Sequence, residues 1–284
     1  MAVSNSLTTK ANAKMAMATY LTQDAVKNQI NAVIGGKNGT RFITSIVSAV
    51  NANPQLQECT NGSIVSAALV GESLNLSPSP TLGYFYMVPF NDKNKGKVAQ
   101  FQIGYKGLIQ LAIRSGQYKK INVMAIKKGE LEYFDPLNEE ISVKLMIGDW
   151  NAREEAETIG YYAMFELVNG FKKAIYWSKE QMEAHALKYS MGYRAKKGYT
   201  FWEKDFDGMA YKTMLRQLLS KWGIMSTEMM NAIDSDEAVI NDDGSKTYVE
   251  TEEVITAPAA EQKKEPAPEE APADDPAAAL FGGN

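Results

Sequence analysis

An abrupt change of composition near Asp234 limits how much of this 284-residue chain can fold. From Asp234 onward the sequence carries 14 Asp/Glu against 3 Lys and is rich in Ala and Pro, as in residues 265–270. Such a segment buries too little apolar area to offset the entropy that ordering costs. We therefore expect a flexible N-terminal segment at residues 1–20, one folded domain at 21–234 and a disordered acidic tail at 235–284.

The acidic tail conceals a basic body. The whole chain has a formal net charge of −4, but residues 1–233 carry 27 Lys/Arg against 20 Asp/Glu, a balance of +7. A basic body favours a polyanion as partner. The tail ends in acidic residues followed by a small apolar tip at 274–284, which is typical either of a solubilising segment or of a docking peptide.

The chain shows no signal for a membrane or an oxidising compartment. No apolar run approaches the ~18 residues that a membrane span needs. Residues 1–20 lack the continuous apolar core of a signal peptide. The single cysteine, Cys59, cannot form an internal disulfide, and we expect it to be a small buried residue. These features predict a cytoplasmic protein without membrane contact.

The periodicity of apolar residues predicts an α+β fold. Helical spacing predicts helices at residues 24–33, 40–51, 62–74, 105–115, 179–188 and 202–222. Alternation predicts strands at residues 82–90, 97–103, 118–127, 130–134, 158–168 and 171–177. Asn169-Gly170 is a strong hairpin turn, and residues 191–199 have the composition of a mobile loop. We expect an antiparallel sheet of hairpins with packed helices.

Residues that support catalysis are scarce. The chain has one histidine, His185, and no second histidine or cysteine pair to complete a usual zinc site. Residues 35–40 lack the GxxxxGK[ST] order of a phosphate loop, so we interpret them as a turn. Two carboxylate pairs that could hold Mg²⁺ lie in hydrophilic stretches more typical of solvated surface: Glu139/Glu140 and Glu154/Glu155. We expect no enzyme activity and no cofactor, with no need for ATP and with Mg²⁺ at most a counterion to the bound polyanion.

A basic run with aromatic residues is the informative feature. Residues 93–128 contain no Asp or Glu, and their nine cations are Lys93, Lys95, Lys97, Lys106, Arg114, Lys119, Lys120, Lys127 and Lys128. Phe101, Tyr105 and Tyr118 lie among them. Cations that neutralise phosphates and aromatic faces that stack on bases are the usual means of binding single strands. Aromatic residues also form the cores of folded domains, and we favour that interpretation for these three.

A second basic group follows downstream. It consists of Lys188, Arg194, Lys196, Lys197 and Lys204. In the predicted helix 202–222, Lys212 and Arg216 are four residues apart and share a face, with Lys221 nearby, while the opposite side can pack inward. We expect this group to form the second wall of a groove.

Two segments resemble the RecT family of phage single-strand annealing proteins. The first, residues 102–116, is QIGYKGLIQLAIRSG, which is similar to the family's signature segment. The second, residues 202–216, is WEKDFDGMAYKTMLR and is similar to a family block of the form W-x-x-D-x-x-x-M-A-x-K-T-x-x-R. The resemblance covers roughly residues 20–234.

The resemblance implies a function and a set of binding residues. It implies ATP-independent annealing of complementary DNA for homologous recombination, strand invasion in some members, and assembly on DNA into rings or helical filaments. It also implies a phage exonuclease as partner, with a host single-strand-binding protein as a further one. The DNA-contact residues that carry over are Lys106, Arg114, Lys204, Lys212 and Arg216. Charge and position add Lys119, Lys120, Lys127, Lys128, Arg194, Lys196, Lys197 and Lys221, and Tyr105 is added as an aromatic face within the basic run.

Two other classes of function stay open at this point. A Mg²⁺-dependent DNA nuclease would need a carboxylate cluster that faces the basic groove. A structural phage protein would form oligomers that ignore DNA.

Overall fold

The computed structural model describes residues 16–35, 39–79, 81–92, 95–138, 140–198, 200–240 and 245–248. All of them belong to one compact unit, Met1–Val249. The disorder expected for residues 249–284 and the flexibility expected for residues 1–15 concern parts of the chain outside these ranges. The α+β fold class is confirmed.

The described ranges contain eleven α-helices. They are α1 (Met17–Leu21), α2 (Asp24–Ile34), α3 (Gly39–Ala52), α4 (Asn61–Ser73), α5 (Tyr105–Arg114), α6 (Trp150–Glu155), α7 (Lys179–Tyr189), α8 (Met191–Arg194), α9 (Phe201–Lys204), α10 (Phe206–Trp222) and α11 (Thr227–Ser235). None of these helices is both long and apolar enough to cross a membrane, within the residues that the structure describes.

The strands form antiparallel sheets. They are β1 (Phe85–Asp92), β2 (Gly96–Ile103), β3 (Tyr118–Lys127), β4 (Leu131–Asp135), β5 (Glu140–Val143), β6 (Thr158–Leu167), β7 (Lys172–Ser178), β8 (Ala238–Ile240) and β9 (Lys246–Tyr248). One sheet has the order β1-β2-β8-β9, a second has the order β3-β6-β7, and β4 and β5 form a separate hairpin. The β1–β2 and β6–β7 hairpins confirm the predicted pairings.

The first sheet packs against α4. This helix is apolar almost all round, as its sequence of small residues predicts, and Ile64, Ala67 and Ala68 are fully buried. It contacts β1 and β2, where the rings of Phe85 and Phe101 lie 5.2 Å apart. Apolar burial of this kind is the main term that stabilises a domain.

The second sheet packs one face against α10. Strand register places Phe165 of β6 between Ile121 of β3 and Lys173 of β7, all on that face. Because side chains alternate along a strand, the neighbouring residues Lys120 and Lys172 lie on the opposite face. The alternating sequences of these strands therefore match a sheet with one buried and one open face.

An excursion between β3 and β6, residues 129–157, contains β4, β5 and α6; we call it the arm. Buried Glu130 fixes its base by accepting hydrogen bonds from the amides of Lys127 (2.8 Å) and Met146 (3.1 Å) and from Arg153 Nε (2.7 Å). Burial alone would raise the pKa of Glu130, but the Arg153 guanidinium and the two amides lower it below its usual value. The sequence analysis missed β5 and α6, which are short.

The predicted helix 202–222 is wrong in one respect, because it is interrupted at Asp205. This residue has non-helical dihedrals (φ −148°, ψ 73°) and separates α9 from α10. Its carboxylate Oδ1 accepts the Gly208 amide at 2.9 Å, which makes Asp205 the N-cap of α10. A capping signal inside the helical pattern was overlooked.

The described body also extends past both expected boundaries. At the C-terminal side, Ala238 of β8 pairs with Phe101 of β2, and β9 continues the sheet to Tyr248. At the N-terminal side, Met17 and Leu21 of α1 are buried in the core. The ordered part thus includes residues that the sequence analysis assigned to the tail and to the flexible segment, since composition averages conceal short ordered pieces at domain ends.

Candidate nucleic-acid interface

The two segments that resemble a family signature pack against each other. Residues 102–116 form the end of β2 and α5, and residues 202–216 form most of α9 and α10. Helices α5 and α10 are in contact, and the rings of Tyr105 and Tyr211 meet edge to face with centroids 5.5 Å apart. Segments about 100 residues apart in sequence therefore build one site.

A set of neighbouring rings, which we call the aromatic band, extends from this contact. Its members are Tyr86, Tyr105, Tyr161, Trp177, His185, Tyr189, Tyr193, Phe201, Trp202, Phe206 and Tyr211. Successive ring contacts link all of them except Tyr86 and Phe201, which form a separate pair; Phe201 directly precedes Trp202 in the sequence. The rings of Tyr86 and Phe201 are tilted by 42° with centroids 5.5 Å apart, and the rings of Trp202 and Phe206 meet edge to face at 5.1 Å. Phe201 and Tyr189 are exposed, while Trp202 is buried. The band is therefore anchored in the core and presents ring surface to solvent.

Their surroundings keep two tyrosines of the band protonated. The Tyr161 hydroxyl donates to Asp207 Oδ1 at 2.6 Å; burial, followed by this carboxylate, raises the pKa of Tyr161. Burial also raises the pKa of Tyr86, and the nearby Asp205 and Tyr105 raise it further. Both hydroxyls stay protonated at neutral pH, so neither adds a negative charge that would repel a phosphate.

Five exposed cations flank the band: Lys106, Arg194, Lys196, Lys197 and Lys204. None of them forms an ion pair with another residue in the described ranges. Lys106 lies beside Tyr105, with its Nζ 6.0 Å from the ring centroid, and its aliphatic part passes over Gly83. These charges remain available for an anion.

The turn that carries Lys196 and Lys197 is tied to α9. Thr200 and Glu203 form a capping box, and the Glu203 carboxylate also accepts the Gly198 amide at 2.8 Å. Lys196 adopts a left-handed conformation (φ 49°) in the turn. The expectation of a free loop at residues 191–199 needs correction, because α8 and this anchored turn occupy the stretch and fix where its cations lie.

Lys212 and Arg216 do not form the exposed helix face that the sequence predicts. Lys212 is buried, and its Nζ lies 2.9 Å from Asp236 Oδ1; Arg216 Nη1 lies 2.7 Å from Asp236 Oδ2. The same carboxylate accepts the Ile103 amide at 3.0 Å. The exposed position expected for Lys212 is therefore corrected: its ammonium is buried and ion-paired inside the fold, where it holds the C-terminal segment against β2 and α10. Helical spacing alone could not reveal this partner.

Arg114 also has a structural partner. Its Nη2 donates to the Leu74 carbonyl at 2.7 Å and its Nη1 to the Asn75 carbonyl at 3.3 Å. Carbonyls at the end of a helix lack intrahelical donors, so the guanidinium satisfies the terminus of α4. Its outer edge remains exposed.

The remaining candidates contact residues outside the aromatic band. Lys119 and Lys120 are 2.8 and 3.9 Å from the carboxylate of Glu166, whose pKa is lowered chiefly by the Lys119 hydrogen bond. Lys127 donates to Thr158, Lys128 lies 3.8 Å from Glu157, and Lys221 lies by Trp222.

Because α10 spans 17 residues, its two ends are about 24 Å apart. Lys221 at one end therefore lies well away from Phe206 at the other, and its contact with DNA stays a prediction.

The sequence analysis identified the cations that flank the band but missed several of its rings. Tyr86 and Phe201 were not singled out, although Phe201 directly precedes the second segment. Phe101 and Tyr118 are buried, which confirms the core interpretation for those two, and Cys59 is buried as expected.

Burial, followed by Lys188 and Arg216, lowers the pKa of His185, which therefore stays neutral within the band. No cluster of three or more metal-ligating residues occurs among the residues that the structure describes.

Comparison with known proteins supports the resemblance. A sequence model of the RecT family matches residues 40–255. The chain is 42% identical over 242 residues to "Uncharacterized protein YqaK" of Bacillus subtilis (strain 168), which covers 83% of this chain and 79% of that protein. It is 30% identical over 224 residues to "Protein RecT" of Escherichia coli (strain K12), which covers 77% and 79%, respectively. The chain belongs to the RecT family, a family of phage-type recombination and annealing proteins.

Proposed function

We propose that this protein binds single-stranded DNA at the aromatic band and anneals complementary strands without hydrolysing a nucleotide. The observation that carries the proposal is the position of five cations, none ion-paired within the described ranges, around solvent-facing rings at the contact between the two family segments. The phosphate backbone would lie along Lys106, Lys204 and the turn at residues 194–197. Exposed rings such as Phe201 would take up bases.

The physical chemistry of this surface suits a sequence-independent ligand. Stacking of a base on an aromatic side chain is worth roughly 1–3 kcal/mol and tolerates any base. Contacts from Lys and Arg to phosphates position a strand but carry no sequence information. A surface of cations and rings therefore favours single strands of any sequence, as pairing of arbitrary complementary strands requires.

Annealing needs no energy input from the protein. Each base-pair step that forms releases about 1.4 kcal/mol on average, so pairing proceeds downhill once the strands meet. The protein has to neutralise phosphate repulsion and keep bases extended, and an oligomer on the DNA would do this over many bases at once. Family membership is also the ground for proposing a phage exonuclease and a host single-strand-binding protein as partners.

The test mixes two complementary fluorescent oligonucleotides at physiological salt with Mg²⁺ and without ATP. We expect the protein to accelerate pairing of any complementary pair, and the variant Lys106→Ala with Lys204→Ala to lose most of the acceleration. The matched control is Lys27→Ala, an exposed lysine on α2 that lies outside both segments. No acceleration by the wild-type protein would refute annealing. Cleaved strands on a denaturing gel would favour a nuclease instead.

A further inference from the structure

The arm carries an acidic and apolar surface that the annealing proposal does not use. Its residues 129–157 contain nine Asp/Glu against two Lys/Arg, a formal charge of −7. Large apolar side chains on it face solvent, with Leu137 at 88%, Ile147 at 67% and Trp150 at 57% exposure. Isolated exposed apolar residues are ordinary, but three within one strongly acidic segment are typical of a region that binds another protein.

A second surface has the opposite charge and its own exposed apolar side chains. We call it the basic corner; it is formed by Lys119, Lys120, Lys172, Lys221, Val168, Phe171, Trp222 and Ile224. Its apolar members are all exposed, with Val168 at 60%. Its four lysines are exposed, and three of them share one buried carboxylate, that of Glu166, which leaves the surface positive.

Direct contacts hold the basic corner together. The Tyr118 hydroxyl donates to the Ile224 carbonyl at 2.8 Å, and the Tyr118 ring meets Phe165 at 5.4 Å. Phe165 in turn lies 6.0 Å from Phe171 in the β6–β7 turn. The Nζ of Lys173 lies 3.6 Å from the ring centroid of Trp222. The corner is therefore a single packed surface and not a set of scattered side chains.

The arm and the basic corner lie at opposite ends of the β3–β6–β7 sheet. Strand β3 begins with Tyr118 at the corner and ends with Lys127 at the arm, and β6 returns from Thr158 to Leu167. A strand of ten residues is about 30 Å long, which separates the points where the two surfaces of one copy join the sheet. Each can meet its complement on another copy.

We propose that the arm of one copy docks on the basic corner of the next. The occupant is a second copy of this chain, because charge and apolar character are complementary within the same sequence. Such a contact joins two different surfaces and leaves one of each free, so it repeats and gives rings or open filaments. The inference names surfaces for the oligomer on DNA and rests in that respect on the proposed function.

Reversal of charge on each surface tests the contact. The arm variant is Glu154→Lys with Glu155→Lys, two exposed residues at the C-terminal end of α6, where positive charge suits the helix dipole. The corner variant is Val168→Glu with Lys221→Glu. Assembly of the full chain on a long polythymidine strand is followed by sedimentation. Because like charges across an interface oppose association, we expect each variant to need at least roughly ten-fold more protein to assemble.

The combined variant decides between a direct contact and indirect damage. A chain that carries both pairs of substitutions has a basic arm and an acidic corner, so we expect it to assemble better than either single-surface variant. The matched control is Lys27→Glu with Asn28→Glu on the exposed face of α2, which changes the charge as much as the corner variant does. We expect the control to assemble as the wild type does.

Several outcomes would overturn the proposal. They are wild-type assembly by both single-surface variants, a combined variant no better than the single ones, or a wild-type protein that never assembles. Loss of binding to a short polythymidine strand by the corner variant alone would instead make the corner a DNA surface. Failure of the annealing proposal looks different, because the wild-type protein itself would not bind the short strand or accelerate pairing.

Discussion

Replacement of Lys212 and replacement of Lys106 should have different effects. The first should lower the stability of the fold, and the second should weaken DNA binding. Lys212→Met removes a buried ammonium that lies 2.9 Å from the fully buried carboxylate of Asp236. Loss of one partner from a buried ion pair costs about 3–5 kcal/mol. Arg216 still contacts the other carboxylate oxygen at 2.7 Å, so we expect a value near the lower end, about 3 kcal/mol. This is a large part of the ~5–15 kcal/mol that stabilises a typical domain.

Lys106→Ala should leave stability unchanged and weaken DNA binding. Its side chain is exposed and has no ion-pair partner among the described residues, so we expect a change in unfolding free energy within about 0.5 kcal/mol. Removal of a single lysine–phosphate interaction should weaken binding to all sequences alike and reduce the salt slope by about 1. Equilibrium urea unfolding, followed by tryptophan fluorescence without DNA, measures the first quantity. Titration of a fluorescent single strand at several salt concentrations measures the second.

A double replacement provides the control. Lys212→Met with Asp236→Asn removes both charges, so its cost should be clearly smaller than the sum of the two single costs. The reasoning is refuted if Lys212→Met unfolds within about 0.5 kcal/mol of the wild type. It is equally refuted if that variant shows a reduced salt slope at full stability, because Lys212 would then reach a phosphate.

Three further predictions follow from local geometry. Asp205→Ala removes the N-cap of α10 and should cost about 1 kcal/mol in urea unfolding, whereas Asp205→Asn, which can still cap, should cost less. Gly107→Ala places a methyl group into the Tyr84 carbonyl oxygen and should lower stability by at least about 1–3 kcal/mol; an unchanged melting temperature would contradict the close packing. The lowered pKa of Glu130 means that its contacts with Arg153 stabilise the arm above the ordinary carboxyl pKa of about 4.3 and lose that effect as the pH falls through the lowered value. The protection of arm amides against hydrogen exchange, measured relative to the unstructured rate at each pH, should therefore fall selectively in acid, and Glu130→Gln should show the lower protection already at neutral pH.

The sequence predicted those elements that carry a strong local signal. The capping box at Ser178 and Gln181 marks the start of α7, and Asn169-Gly170 marks the β6–β7 turn, with Gly170 at φ 89°. Both signals depend on a few neighbouring residues, so one sequence is enough to read them. Strand β5 and helix α6 have four and six residues, too few for a periodicity to appear.

The site was less predictable because its decisive contacts join distant residues. An exposed lysine and a buried one look alike in a helical pattern; Lys212 is distinguished only by Asp236, 24 positions further along the chain and beyond the expected domain boundary. Likewise, Lys119 and Lys120 stand in a run without acidic residues, yet Glu166 reaches them across the β3–β6 pairing. Local charge counts cannot reveal such cross-strand partners.

The same contacts change what a match to the family segments means. Part of each segment builds the fold: Gly107 lets α5 approach Tyr84, Asp205 caps α10, and Lys212 holds Asp236. Only Lys106 and Lys204 point their charges outward beside the aromatic band, within the described part of these segments. A relative that kept the inward residues and lost the outward two would still match and fold, but it should bind single strands weakly. The outward pair, together with the exposed ring of Phe201, is therefore a better guide to DNA binding than the match itself.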